Sequence, residues 1–180
     1  MKVRGIVFED FVNYKEPALY IAMPYCSFKC DKECGRQICQ NEPLVQEPIV
    51  DIDKEDLIEE FLNNSITRAV VFGGLEPLDS FMDVLSFVDS LRRQHDDLSP
   101  IIIYTGYTEE EVEAGAVDAG PQDLMAENWR ILCSYPGIIV KFGRFRPNEE
   151  SHLDKLLGVR LASPNQYARL VSNENHIQQR

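Results

Sequence analysis

Short apolar runs alternate along the chain with longer segments in which apolar residues recur at helical spacing. The runs predict strands over 17–23, 66–72, 101–105, 137–142 and 158–162. The helical spacing predicts helices over 53–63, 79–94, 108–115 and 122–132, with Asp79 or Ser80 placed to cap the second one. Nearly continuous apolar strands that alternate with helices are typical of parallel βαβ units. The pattern therefore predicts an α/β fold.

The length of the chain limits how such units can be arranged. A full eight-stranded β/α barrel typically needs about 250 residues, and this chain has 180. We expect a single domain over 1–180 that forms a partial, open parallel β/α barrel, with a frayed tail over 172–180. No apolar run approaches the roughly 18 residues of a membrane span, and the N-terminus lacks the apolar core of an export signal. A cytoplasmic protein with no membrane partner is expected.

Acidic residues outnumber basic ones in this chain. Lys and Arg total 18 while Asp and Glu total 30, which gives a formal net charge of −12. Binding to nucleic acid depends on many cations that neutralise phosphates. The charge balance therefore argues against a nucleic-acid partner.

Four of the five cysteines lie in one polar segment, 25–40, that follows the first predicted strand. They are Cys26, Cys30, Cys34 and Cys39, while Cys133 is alone. An odd number of cysteines without an export signal argues against a disulfide framework. Thiolates suit zinc and iron–sulfur clusters. A structural zinc site would use all four cysteines, whereas a [4Fe–4S] cluster held by three would leave one iron open to a substrate or cofactor.

Two further turns follow predicted strands, Gly73–Pro77 and Thr105–Tyr107. Functional loops of parallel α/β folds lie at the carboxyl ends of the strands. We therefore expect both turns to meet the cysteine segment on one face of the molecule. Glycines let a ligand approach the backbone closely, and a carboxylate such as that of Glu76 complements an ammonium group.

The cysteine segment resembles the signature of the radical S-adenosylmethionine superfamily, three cysteines in a Cys-x3-Cys-x2-Cys loop after the first barrel strand. This chain has Cys-x3-Cys-x3-Cys, with Glu33 where the signature usually has an aromatic residue. The resemblance favours Cys26, Cys30 and Cys34 as the cluster ligands and leaves Cys39 open. It also matches Gly73, Gly74 and Glu76 to a Gly-Gly-Glu-Pro turn that binds the methionine ammonium, with Leu75 inserted.

Several stretches together resemble one family of that superfamily, the activating proteins of anaerobic (class III) ribonucleoside-triphosphate reductase. They are Tyr104–Tyr107, Val140–Phe145 and Leu161–Gln166, in addition to the cysteine segment and the glycine turn. The resemblance implies a barrel of the radical S-adenosylmethionine type. It also implies that Glu33, Gly35, Thr105 and Asn165 lie near the rest of the cofactor.

The activity that this resemblance implies is reductive cleavage of S-adenosylmethionine at a [4Fe–4S] cluster. A flavodoxin-type or reductase-type donor would supply the electron, and the resulting radical would abstract a hydrogen atom from a glycine of the partner reductase. Two alternatives stay open at this point. One is another small radical S-adenosylmethionine enzyme, which would act on a different glycyl-radical enzyme or on a small molecule. The other is a noncatalytic binding module that zinc stabilises.

Overall fold

A computed structural model of the chain describes residues 1–172. The predicted frayed tail, apart from its first residue, therefore lies outside the described residues. The strands are β1 (Lys2–Val3), β2 (Gly5–Asp10), β3 (Ala18–Met23), β4 (Val50–Asp51), β5 (Ala69–Gly74), β6 (Ile101–Tyr104), β7 (Ile138–Phe142), β8 (His152–Asp154), β9 (Val159–Leu161) and β10 (Tyr167–Leu170). The helices are α1 (Lys29–Cys34), α2 (Lys54–Asn63), α3 (Phe81–Arg93), α4 (Glu109–Glu113) and α5 (Gln122–Ser134), with 3-10 turns at Glu42–Gln46 and Pro77–Ser80.

A six-stranded sheet with the order β10-β7-β6-β5-β3-β2 forms the centre of the molecule. The inner strands β3, β5, β6 and β7 are parallel to one another and lie in chain order. The outer strands β2 and β10 pair antiparallel to them. The structure thus confirms a mixed α/β fold with a mainly parallel sheet, while closure into a partial barrel stays a prediction.

The sequence pattern missed several short elements. The predicted strand over 158–162 corresponds to β9, which pairs with β8 in a separate hairpin and not with the central sheet. The edge strand β2 escaped prediction because its apolar run covers only Ile6–Phe8 and acidic residues follow directly. The cysteine segment was expected to be a loop, but it contains α1. None of the residues of α1 is buried, so the helix leaves no periodic apolar signal.

Helices α2, α3, α4 and α5 all pack against one face of the central sheet. Their buried side chains and the sheet residues of that face form one core, in which the rings of Phe72 and Phe87 meet edge to face with centroids 5.3 Å apart. A smaller apolar cluster covers the opposite face, where Leu157 and Leu161 from the β8–β9 region pack on Val71 and Ile102. Both faces of the inner strands are therefore buried, which fixes the positions of their carboxyl ends.

The longest helices, α3 and α5, each contain 13 residues. Within residues 1–172, no helix is both long and apolar enough to cross a membrane.

The last residue of β5 needs a glycine for two reasons. Gly74 has φ +85°, a backbone conformation that side chains with a Cβ rarely adopt. A Cβ at this position would also lie 2.8 Å from the Cα of Ala22 and 2.9 Å from the backbone nitrogen of Met23 in β3. The close contact of β5 with β3 thus leaves no room for a side chain at residue 74.

We expect Gly74→Ala to destabilise the protein more than Gly35→Ala does. Gly35 also has positive φ, +64°, but a Cβ there meets nothing within 4 Å, so this variant reports backbone strain alone. The added steric overlap should make the loss of unfolding free energy about 1–3 kcal/mol larger at residue 74. Urea unfolding of the metal-free proteins measures the difference, and equal losses would contradict the close packing of β5 on β3.

Candidate functional site

The carboxyl ends of the four parallel strands surround one cavity of about 300 Å³. The cysteine segment follows β3, the Gly73–Pro77 turn ends β5, and Thr105 and Gly106 follow β6. All three loops contribute to the wall of the cavity, and so do Lys141 and Gly143 at the end of β7. The structure therefore confirms that the loops after successive strands meet on one face of the molecule.

The buried carboxylate of Glu76 joins the second of these loops to the third. One of its oxygens accepts hydrogen bonds from the hydroxyl of Thr105 at 2.8 Å and the amide of Leu78 at 3.1 Å. The other oxygen accepts the amide of Gly106 at 2.8 Å. Burial raises the pKa of Glu76 to about 7, although the hydrogen bond from Gly106 lowers it. Glu76 is thus held at the cavity wall by three donors.

Asp79 connects the cysteine segment to the loop after β6. One oxygen of its carboxylate accepts the backbone amide of Ser27 at 2.6 Å, and the other accepts the hydroxyl of Tyr107 at 2.5 Å. The sequence predicted Asp79 or Ser80 as a helix cap, but neither side chain caps α3. Asp79 does not cap α3 because its carboxylate oxygens accept hydrogen bonds from Ser27 and Tyr107 instead.

Cys26 and Cys30 line the cavity next to these carboxylates. The amide of Phe28 donates a hydrogen bond to the sulfur of Cys26 at 3.2 Å. Burial raises the pKa of Cys26 to about 12, the Phe28 amide lowers it, and the charges of Glu76, Asp79 and Cys39 raise it further. Burial also raises the pKa of the Cys30 thiol. Both thiols are therefore protonated at neutral pH in the absence of a metal, and binding of iron would release their protons.

The other two clustered cysteines have different environments. Cys39 is half-buried and lines the same cavity as Cys26 and Cys30, whereas Cys34 is exposed and is not part of the cavity wall. Sequence spacing alone had favoured Cys34 over Cys39. The signal that could have pointed to Cys39 is weak, since Cys39 lies in a segment without periodicity and nine residues beyond Cys30.

Of the remaining predicted cofactor-binding residues, Gly73, Gly74, Glu76 and Thr105 line the cavity. Glu33, Gly35 and Asn165 do not. Glu33 pairs with the buried guanidinium of Arg144 at 3.0 Å, and Gly35 ends α1 in solvent.

The side chain of Asn165 forms a hydrogen bond with the backbone next to the cavity. Its side-chain amide donates to the carbonyl of Arg144 at 2.9 Å, next to Gly143 in the cavity wall.

Lys141 is a cavity residue whose role the sequence left open. A lysine at the end of a strand is usually exposed to solvent, but only 7% of Lys141 is exposed. Its ammonium group donates to the carbonyl of Gly143 at 2.8 Å and lies 3.4 Å from that of Thr105. Burial lowers its pKa to about 8, while the charges of Glu76 and Cys30 oppose this shift. Lys141 thus places a buried positive charge in a cavity whose wall also contains Glu76, Arg160 and three thiols.

The cysteines could hold an iron–sulfur cluster, and their arrangement fits one. Within residues 1–172, no three Cys, His, Asp or Glu side chains meet closely enough to surround one metal ion. In a [4Fe–4S] cubane each thiolate binds a different iron, so the sulfur atoms are spread around a larger body than a single ion. Cys26, Cys30 and Cys39 are distributed around one cavity in this way.

Fold and site together define a class, a mixed α/β protein with thiols gathered at the carboxyl edge of a mainly parallel sheet. A comparison with protein families identifies that class more closely. The model of the 4Fe–4S single cluster domain matches residues 18–154, which include all the clustered cysteines, the glycine turn and Lys141. The chain belongs to this family and is an iron–sulfur protein. No curated protein and no solved structure matches the chain.

We expect Thr105→Val to destabilise the protein by about 1–3 kcal/mol, because it leaves buried hydrogen-bonding groups without partners. The hydroxyl of Thr105 donates to Glu76 and accepts the amide of Tyr107 at 3.0 Å, and valine can do neither. Thr67→Val is the matched control, since the buried hydroxyl of Thr67 has no hydrogen-bond partner. Chemical unfolding should show little change or a small gain for the control. Equal effects of both substitutions would contradict the role of Thr105.

Proposed function

We propose that this chain is a radical S-adenosylmethionine enzyme that activates anaerobic ribonucleoside-triphosphate reductase by generating a glycyl radical on it. One observation carries the proposal. The stretches that resemble the activating proteins are far apart in sequence, yet each contributes residues to the same cavity. Besides the cysteine segment and the glycine turn, these are Tyr104–Gly106, Lys141 and Gly143, and Leu161, Ala162 and Gln166. A shared functional site explains why these particular stretches lie together.

When bound, a [4Fe–4S] cluster with one iron free of protein ligands supplies the electron that cleaves S-adenosylmethionine to methionine and a 5′-deoxyadenosyl radical, which abstracts hydrogen from the substrate. The chain has to bind the cofactor, orient it and exclude water. The arrangement of the parallel strands in chain order, with all the larger helices on one face, supports the further proposal that the sheet is a partial barrel.

The cavity contains groups that suit the methionine end of the cofactor. A carboxylate has about four acceptor positions, and protein donors occupy three of those of Glu76. The remaining position, on the oxygen that Gly106 also contacts, is available to an ammonium group. The methionine carboxylate needs a cation, and Lys141 supplies one in the same cavity. The two charged ends of the amino acid would thus meet side chains of opposite charge.

The direct test of the proposed activity is anaerobic reconstitution with iron and sulfide. Electron paramagnetic resonance of the reduced protein should show a [4Fe–4S] signal that shifts when S-adenosylmethionine is added. With flavodoxin as the electron donor, the protein should release 5′-deoxyadenosine and produce a glycyl radical on the reductase. A cluster signal that S-adenosylmethionine does not change would contradict the proposed chemistry. Release of 5′-deoxyadenosine without a glycyl radical would contradict only the proposed partner and favour a different substrate.

Lys141→Met should weaken the binding of S-adenosylmethionine to the cluster-loaded protein about tenfold or more, because a hydrogen bond to a charged group contributes about 1.5–3 kcal/mol. Lys155→Met is the control, since Lys155 is exposed and lies outside the cavity. Isothermal titration calorimetry measures both affinities.

A second ligand separates a charge contact from a general disturbance of the cavity. Decarboxylated S-adenosylmethionine lacks the group that Lys141 would contact, so wild type and Lys141→Met should bind it with equal affinity. Lys141→Met could instead weaken the binding of both ligands to the same extent. Lys141 would then support the cavity wall through the carbonyls of Thr105 and Gly143 and would not bind the carboxylate.

A further inference from the structure

Four cysteines are clustered in the chain, but a cluster with an open iron takes only three of them. The choice between Cys34 and Cys39 decides the architecture of the site, because it decides which part of the segment encloses the cluster. The structure separates the two candidates by their position relative to the cavity.

Cys34 lies further along α1 than Cys30 and is not part of the cavity wall. It is the last residue of this helix and lies one turn beyond Cys30, about 6 Å further along the axis. The helix carries Cys34 out into solvent, where it is exposed. Its neighbour Glu33 is held by Arg144, a buried residue that also forms a two-point ion pair with Glu111. These contacts fix the orientation of α1 on the protein surface.

After Cys34 the chain turns back toward the cavity. Gly35 ends α1 in a left-handed conformation, and the amide of Arg36 donates to the carbonyl of Asp31 at 3.2 Å. The carboxylate of Asp31 then accepts the amides of Ile38 at 2.8 Å and Cys39 at 3.0 Å. Asp31 follows Cys30 directly, so this carboxylate ties the backbone of Cys39 to the start of α1, beside Cys30.

A second contact holds the returning segment against the opposite wall of the cavity. The side-chain amide of Asn41 donates to the carbonyl of Gly74 at 2.6 Å, at the end of β5. Cys39 therefore lies between two fixed points, Asp31 on one side and Asn41 on the other. Cys39 lines the same cavity as Cys26, Cys30 and the glycine turn.

We infer that Cys26, Cys30 and Cys39 hold the cluster, with the spacing Cys-x3-Cys-x8-Cys, and that Cys34 takes no part in binding iron. This ligand set deepens the proposed function and rests on it, because an open iron requires that only three thiolates bind. Residues 31–38, which include the last four residues of α1, then connect the second ligand to the third.

Differential alkylation of the wild-type protein tests the ligand set without any substitution. Trypsin cuts after Lys29, Lys32 and Arg36, so each of the four cysteines falls in a different peptide. Iodoacetamide should modify Cys34 in both the metal-free and the cluster-loaded protein. It should modify the other three faster in the metal-free than in the cluster-loaded protein, as peptide mass spectrometry over a time course would show. Protection of Cys34 in the loaded protein, or modification of Cys39 at the same rate in both forms, would overturn the inference.

Single substitutions provide an independent measurement. Cys34→Ala should retain the iron and sulfide content and the electron paramagnetic resonance signal of wild type. Cys39→Ala should lose most of both, and Cys133→Ala outside the site should behave like wild type. Thermal unfolding of the metal-free variants checks that each one folds, and the alkylation pattern decides the case if Cys39→Ala does not.

The outcomes distinguish this inference from the proposed function. Loss of the cluster in Cys34→Ala together with its retention in Cys39→Ala overturns the ligand set alone. A wild-type protein that binds no iron and sulfide contradicts the proposed function as well.

Discussion

The hydrogen bonds of the buried Glu76 carboxylate are the interaction on which the rest of the site depends. Neighbouring parallel strands end at the same edge of a sheet, but the loops that leave them would diverge without a connection. Glu76 provides that connection, because it binds the backbone of Gly106 and the hydroxyl of Thr105 from its own turn after β5. Asp79 extends the connection to the cysteine segment through Ser27. Two carboxylates three residues apart thus align the loops that follow β3, β5 and β6.

The same carboxylates place negative charge close together inside the protein, where it is unfavourable. Burial of Glu76 near Asp79 and the thiols concentrates acidic groups in a space of low dielectric, where the ionised forms are unfavourable. Lys141 and Arg144, both nearly buried, are the cations that oppose this charge. A [4Fe–4S] cluster and a zwitterionic cofactor would change the balance of charge further. The cavity is therefore better suited to a charged occupant than to an apolar one.

The inner strands and larger helices could be predicted from sequence, because their burial leaves apolar runs and helical periodicity. The convergence of the loops followed from parallel topology, and Gly73, Gly74, Glu76 and Thr105 are indeed in the cavity wall. The positions of Cys34 and Cys39 could not be predicted, because they depend on a short exposed helix and on the backbone contacts of Asp31. Lys141 looked like any strand-end lysine, since only the tertiary fold buries it.

The position of the clustered cysteines near the start of the chain also has a consequence for how the protein is made. The cysteines of the proposed ligand set lie within 26–39, so closing the loops between them costs little chain entropy. The cavity wall, by contrast, extends to Gln166, near the far end of the described residues. During synthesis, the thiols emerge from the ribosome long before the strands that complete the cavity. The segment that carries these thiols is thus complete in sequence before most of the cavity wall has been synthesised.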